Sequence, residues 1–381
     1  MKLKNIMNPA KAFSTNRMPS LLLLGIWFAL VACHPSDRAG KDQNTPVYSS
    51  QIDSARLLVK ELMQKSHVPG MAVSVAVGGK LIWSEGFGFA DMENQLPVDP
   101  SRTLFRIGSV SKTLTATALG LLMDDGKINV DTTLQVYVPE FPQKKYPITT
   151  RQVAGHIAGI RHYRGNEMMS SQYYPTVREG LEIFQDDTLL FEPGTQYSYS
   201  SYGWNLVSAV VENVAGEPFL SYMESHVFAP LGMSHTLADR AGTDIPDRAR
   251  FYVIENDEAK PAPYVDNSYK WAGGGFIATS EDLVQFGIAH LKPDFLTYET
   301  YEALTATQYL SDQTATGYGM GWFTGTDDRG YRYIGHSGGS VGGITQFWVY
   351  PQPGIVVAMV SNGSPLAYGD TDNKIAWLFM P

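Results

Sequence analysis

The chain has 381 residues, 44% of them hydrophobic and 18% charged, and a formal net charge of −9. Such a chain can bury a large core in one large domain or two, which excludes a disordered protein. Its acidity argues against a partner made of nucleic acid or a surface of anionic lipid, the more so because Lys2, Lys4, Lys11 and Arg17 sit in an N-terminal stretch without any acid.

Residues 1–32 read as an export signal. A basic start precedes the apolar run Leu21 to Ala32, which is short for a membrane span. The run ends in Leu30-Val31-Ala32-Cys33, which resembles the lipobox of bacterial lipoproteins. The resemblance implies cleavage before Cys33 and lipidation of that residue; a plain signal peptide cut nearby is the alternative. Cys33 is the only cysteine, so no intrachain disulfide can form. Residues 33–50 then read as a flexible tether. By the same resemblance the protein is exported, faces the periplasm and touches a membrane through its lipid alone. The outer membrane is favoured, because His34 is not the aspartate that retains lipoproteins at the inner one.

From Ile52 to Gln64 the apolar spacing is that of an amphipathic helix, stopped by Pro69-Gly70. Met71 to Val77 and Leu81 to Phe89, joined by Gly78-Gly79, read as a β-hairpin. A Gly-led turn at Gly108 then runs into good helix formers as far as Gly126. Between there and about residue 270 the pattern is mostly helix and loop, with helices at Thr149–Ala154, Trp204–Val214 and Pro218–Phe228. Trp271-Ala272-Gly273-Gly274-Gly275-Phe276 reads as a backbone-dominated loop that could line a cleft, and Thr279 caps a helix to about Leu291. Strands follow at Tyr331–His336, Ile344–Tyr350 and Ile355–Val360, separated by Gly- and Pro-containing turns, before a terminal helix at Asn373–Phe379.

The pattern predicts an α+β fold. An antiparallel sheet built from the two ends of the chain (51–106 and 271–381) is flanked by terminal helices. It stands beside a mainly helical domain (107–270), with the site in the cleft between them.

Ser109 opens the long helix and Lys112 lies three residues on, on the same face. A serine beside an amine has what an activated nucleophile needs, although S-x-x-K alone equally fits a capping serine and a solvated lysine. Two further stretches look like site material: Tyr197-Ser198-Tyr199-Ser200-Ser201, and Gly335-His336-Ser337-Gly338-Gly339-Ser340.

In that order and spacing the three stretches resemble the signature of the serine β-lactamase/penicillin-binding superfamily, above all its class C-like branch. That branch holds D-alanyl-D-alanine carboxypeptidases, D-aminopeptidases, family VIII esterases and mitochondrial β-lactamase-like proteins. The segment Ile148 to Tyr163 is especially similar to the last of these. The resemblance spans roughly residues 50–381 and implies the β-lactamase/transpeptidase-like fold. It implies Ser109 as the acylated nucleophile and Lys112 and Tyr199 as the groups that move its proton, the choice of base between them staying open. It implies an oxyanion hole at the N–H groups of Ser109 and Gly339, and Ser201, His336, Ser337 and Gly338 along the substrate edge. It calls for no metal and no cofactor.

Two positions depart from the family's pattern. Ser201 stands where the motif has asparagine, and His336 where it has lysine, which replaces a fixed charge by a group mostly neutral above about pH 6.5. Both departures suit a peptidase or esterase acting on a small peptide or ester. A β-lactamase proper is the alternative within enzymes, and a non-catalytic penicillin-binding-like or scaffold protein the alternative outside them.

G-x-S-x-G, the nucleophile elbow of α/β-hydrolases, also matches at Gly335–Gly339 and Gly338–Gly342. The elbow needs a helix after its serine and a histidine further on; here a strand follows and His336 is the last histidine. His156 and His162 lack the spacing of a common metal site, and His156 reads as a structural residue of the loop flanking the cleft.

Overall fold

The computed structural model describes residues 48–292 and 294–381. The export segment and Cys33 lie outside the described residues. Helix α1 (Ser49–Ser66) leads into β1 (Gly70–Val77) and β2 (Lys80–Asp91), followed by the short strands β3 (Leu96–Pro97) and β4 (Phe105–Arg106). The β1–β2 turn uses Gly78 and Gly79, both in the left-handed region (φ 58° and 80°) that an Asn-Gly or Gly-Gly hairpin turn requires.

A 3₁₀ turn, Gly108–Val110, precedes α2 (Ser111–Asp124). The middle of the chain supplies α3 (Thr150–Ala154), α4 (Val177–Leu181), α5 (Ser201–Ala215) and α6 (Phe219–Tyr222), the last continuing as a π-helical turn to Phe228. Then come β5 (Leu237–Ala238), the hairpin β6 (Tyr252–Glu255) and β7 (Glu258–Pro261), α7 (Trp271–Gly274), β8 (Phe276–Ala278), α8 (Ser280–Ala289) and α9 (Tyr298–Thr305). The chain closes with β9 (Phe323–Thr326), β10 (Arg332–Ser340), β11 (Gly343–Tyr350), β12 (Ile355–Ser361), β13 (Gly363–Ser364) and α10 (Thr371–Leu378).

Among the described residues the main sheet has the order β3-β2-β1-β12-β11-β10-β9, antiparallel throughout. The first hairpin therefore pairs with the last long strand, as the pattern predicts for an α+β fold with a sheet built from both chain ends. Alternation along β12 shows why the sheet sits at the centre. Val356, Ala358 and Val360 face a core shared with α2, α5 and α8. Ile355, Val357 and Met359 face a second core shared with α1 and α10. A strand buried on both faces reads as a continuous apolar run, as Ile355 to Val360 does.

α2 is enclosed nearly all round, with Ser111 through Gly120 all buried. Its threonines return their hydroxyl hydrogens to the helix itself, Thr113 to Val110 O at 2.8 Å and Thr115 to Ser111 O at 3.0 Å. Gly120 lets Leu304 and Thr300 of α9 approach its backbone closely. No helix among the described residues is long and apolar enough to cross a membrane.

The strand expected to end at His336 runs on through the Gly-rich Ser337 to Ser340, which the sequence places in a turn. The turn falls later, at Val341-Gly342. The reason is the neighbour: a Cβ on Gly338 would meet Ile107 O at 2.0 Å, so only glycine lets β10 lie this close to the chain entering α2.

Candidate active site

Three backbone features hold Ser109. The β4 strand pairs with β8, Gly108 takes a φ of 51°, and the buried Arg106 ties the segment down by donating to Asp239 at 2.6 Å and to Val341 O at 2.8 Å. Gly108 abuts Gly339 so closely that a Cβ on it would lie 2.7 Å from the Gly339 N–H nitrogen. The main chain at Gly108 and Ser109 thus lies against that of Gly338 and Gly339, beside the partly exposed Ser109 side chain. Two N–H groups in that relation suit a developing oxyanion.

Lys112 Nζ lies 3.0 Å from Ser109 Oγ, 3.2 Å from Ser201 Oγ and 2.5 Å from Gly273 O. The residue is fully buried, and burial, with the charge of Lys270 adding to it, pushes the amine well below its ordinary pKa. Gly273 can offer its carbonyl because α7 packs backbone to backbone on α5; a Cβ there would meet Ser201 O at 2.9 Å. The loop predicted to be backbone-dominated thus contributes a main-chain acceptor.

Tyr199 faces Ser109 and Ser201, and its ring centre lies 4.9 Å from Lys112 Nζ. Burial raises its phenol far above the ordinary value, so the group keeps its proton. Ser201 begins α5, where the Ser200 hydroxyl caps the helix by accepting from Gly203 N–H at 3.0 Å.

The turn carrying Tyr199 to Ser201 is gripped by two histidines. His156 Nδ1 accepts from Ser200 N–H and His162 Nδ1 from Ser201 N–H, both at 3.1 Å. Accepting at Nδ1 requires a neutral ring that carries its hydrogen on Nε2. Burial keeps both neutral, His162 being lowered to about 4 and His156 well below its usual range. His156 Nε2 finds no hydrogen-bond partner among the described residues; its ring packs on Tyr199 and Tyr318, with centroids 4.2 and 4.6 Å away.

A family model described as Beta-lactamase matches residues 55–379. The chain belongs to the β-lactamase family. The human serine beta-lactamase-like protein LACTB, mitochondrial, is 31% identical over 87% of this chain and 80% of its own length. Among solved structures, the octameric penicillin-binding protein homologue from Pyrococcus abyssi superposes with a TM-score of 0.75 at 23% identity, covering 84% of this chain and 75% of that one. D-amino acid amidase from Ochrobactrum anthropi, complexed with D-phenylalanine, gives 0.76 at 20% identity, covering 87% and 98%. The fold is therefore β-lactamase/transpeptidase-like, as the three stretches imply.

Within this β-lactamase-family site His336, expected along the substrate edge, is buried beside Tyr199. Its ring is 1% exposed and turned into the core against Phe323, at a centroid distance of 4.6 Å. Nδ1–H donates to Ser337 O at 2.5 Å and Nε2 accepts from the Tyr318 hydroxyl at 3.0 Å. Burial lowers its pKa to about 3, so it is neutral at any working pH and offers no charge to a substrate. The strand's pleat explains this: His336 and Gly338 point inward, and Ser337 and the exposed Gly339 alternate outward.

A buried cation that the motif reading passes over is Lys270, whose amine lies over the rings of Tyr163 and Tyr269. A lysine among aromatic residues just before a glycine run was its only signal in the sequence. Gly273 and His162 were also passed over as contributors, since neither a main-chain oxygen nor a backbone-gripping imidazole leaves a motif.

Proposed function

We propose that this protein is a serine hydrolase that forms an acyl-enzyme on Ser109 and acts on small peptides, D-amino-acid peptides among them, or on esters. The observation that carries the reading is the buried Lys112 amine, depressed in pKa and 3.0 Å from Ser109 Oγ. Burial favours its neutral form, and as the free amine it can take the Ser109 proton while the hydroxyl attacks a carbonyl. The high pKa of Tyr199 supports Lys112 as the base and Tyr199 as a proton donor to the leaving group. The N–H groups of Ser109 and Gly339 would hold the oxyanion. The D-amino acid amidase supports amide substrates for a fold of this kind.

The loss of asparagine at Ser201 and of a cation at His336 removes two groups that would bind a β-lactam antibiotic, which weighs against a lactamase proper. Intact-protein mass spectrometry tests the reading. Residues 34–381 and the Ser109→Ala variant are each incubated with a p-nitrophenyl ester, a cephalosporin and a D-Ala-D-Ala peptide. A Ser109-dependent adduct or turnover is expected with the ester or the peptide. Neither with any reagent would favour a binding protein.

We further propose that the protein is anchored through a lipid on Cys33. Expressed in a Gram-negative host, the full chain should fractionate with membranes and the Cys33→Ala variant should not; equal partitioning of the two would overturn the anchor.

A further inference from the structure

We propose that Lys270 forms an anion subsite on the acyl side of the Ser109 cleft, which selects acyl groups bearing a carboxylate. The inference deepens the hydrolase reading and rests on it.

Lys270 ends the 3₁₀ turn Ser268–Lys270 and is 3% exposed. Its amine lies 5.2 Å from the Tyr269 ring centre and 5.6 Å from that of Tyr163, whose phenol faces Ser201. Among the described residues the amine has no hydrogen bond and no ion pair. The carboxylate whose charge reaches it is already engaged: Asp239 receives Arg106 Nε and Asn267 Nδ2 on one oxygen, at 2.6 and 2.8 Å, and Arg248 on the other at 3.3 Å. Glu167 on the Tyr163 side is taken by Arg161 and the Tyr202 hydroxyl.

Asp239 is thus already shared by Arg106 and Arg248, and the Lys270 amine is left without a carboxylate of its own. A buried cation without a partner is costly, and an incoming carboxylate would relieve that cost. Neither of the other basic groups facing it competes for the role, since Lys112 and His162 are both held toward neutrality. Lys270 itself is lowered only to about 8, so it remains a cation at neutral pH.

The side is set by the motif tyrosine. Tyr199 packs with His156, Tyr318 and His336, and as the proton donor it marks where the leaving group departs. From Ser201 the contacts run away from Tyr199 through the Tyr163 phenol to Tyr269 and the Lys270 amine, and the acyl group is assigned to that side. A cation missing from the motif position at His336 is in this way replaced by one on a different element.

The test compares p-nitrophenyl butyrate with the mono-p-nitrophenyl ester of glutaric acid. The ratio of kcat/KM for the acidic over the neutral ester should fall at least tenfold in Lys270→Met and be largely retained in Lys270→Arg. A ratio unchanged in Lys270→Met, whether both rates fall together or neither does, overturns the subsite and leaves Lys270 as a charge acting on Lys112. A second arm needs no turnover: glutarate is titrated calorimetrically into the Ser109→Ala protein, with and without Lys270→Met, from pH 6.5 to 9.5. Binding should depend on Lys270 and weaken as pH rises past about 8. Absence of Lys270-dependent binding overturns the proposal. Glutarate binding without an acyl adduct from either ester would instead overturn the hydrolase reading and leave the subsite standing.

Discussion

The Lys112 amine gives a hydrogen to the main-chain oxygen of Gly273, 2.5 Å away. A carbonyl can only accept, so this contact fixes one hydrogen of the amine. A neutral amine has two hydrogens and one lone pair. With the second hydrogen turned to Ser201 Oγ at 3.2 Å, the lone pair is left facing Ser109 Oγ at 3.0 Å. The arrangement pre-sets the direction of proton transfer.

Charge and shape at Lys112 should therefore separate in mutants. Lys112→Met keeps the length and loses the base; Lys112→Arg keeps a charge that cannot be removed. Both should lower kcat/KM for an activated ester by about 10²–10⁴-fold, the usual worth of a positioned base. In the unmodified protein, activity should fall as pH drops through the depressed pKa of Lys112, because the protonated amine cannot accept. Activity of Lys112→Arg within tenfold of wild type, read from p-nitrophenol release, would remove Lys112 from that role.

Acid should weaken the fold before it reaches ordinary carboxylate range. His162 and His290 are lowered from 6.5 to about 4 and His336 to about 3, burial being the main cause in each. Between those values and 6.5 the unfolded chain binds more protons than the folded one, so stability rises with pH across that window. It is fully present above about pH 6.5 and lost as pH falls toward 4. A tenfold change in proton affinity is about 1.4 kcal/mol, which makes His290 alone worth roughly 3 kcal/mol between the extremes. Urea midpoints should decline steadily from pH 7 to 4.5 with the slope m unchanged; a flat midpoint would mean that these rings are already protonated or exposed.

What was legible in the sequence follows physical range. Local spacing carries α1, the β1–β2 hairpin and the apolar strand β12, because period and turn chemistry act over a few residues. S-x-x-K is legible for the same reason, since positions three apart on a helix must meet. The β6–β7 hairpin was missed although its turn, Asn256-Asp257, takes the left-handed φ values of 52° and 65° that an Asn-led hairpin turn favours. Its strands are too short and polar to announce themselves. The inward turn of His336 and the approach of Lys270 were not legible at all. Both depend on which way a pleat faces and on which loops the fold brings together across more than a hundred residues.

Tyr318 and His336 make a sealed pair, and its polarity can be tested. Tyr318→Phe removes the only hydroxyl that reaches His336 Nε2 among the described residues and leaves a buried nitrogen unsatisfied, a loss of about 1–3 kcal/mol. Restoring the family's lysine, His336→Lys, should not create a substrate anchor, because the side chain at this position is directed at Phe323 and Tyr318. It should destabilise the protein and leave the preference for acidic over neutral esters unchanged. A raised preference for acidic esters in that variant would show that position 336 does open to the cleft.

The Arg106–Asp239–Arg248 cluster should be the most sensitive point of the scaffold under the nucleophile. Asp239 has no exposed side-chain surface, and its two oxygens hold Arg106, Arg248 and Asn267. Arg106 in turn fixes the strand that leads to Ser109 and stacks 4.1 Å from the Phe251 ring centre. Asp239→Asn keeps the shape but strands the arginines with Lys270, and breaking a buried pair from one side costs about 3–5 kcal/mol. Removing the charge on both sides, in Asp239→Asn with Arg106→Met, should cost less than the two single losses added together, since each charge left alone is the larger part of its penalty. Chemical denaturation of the four proteins reads this directly. Strict additivity would mean that water reaches the cluster and that Arg106 holds its strand by packing instead of by charge.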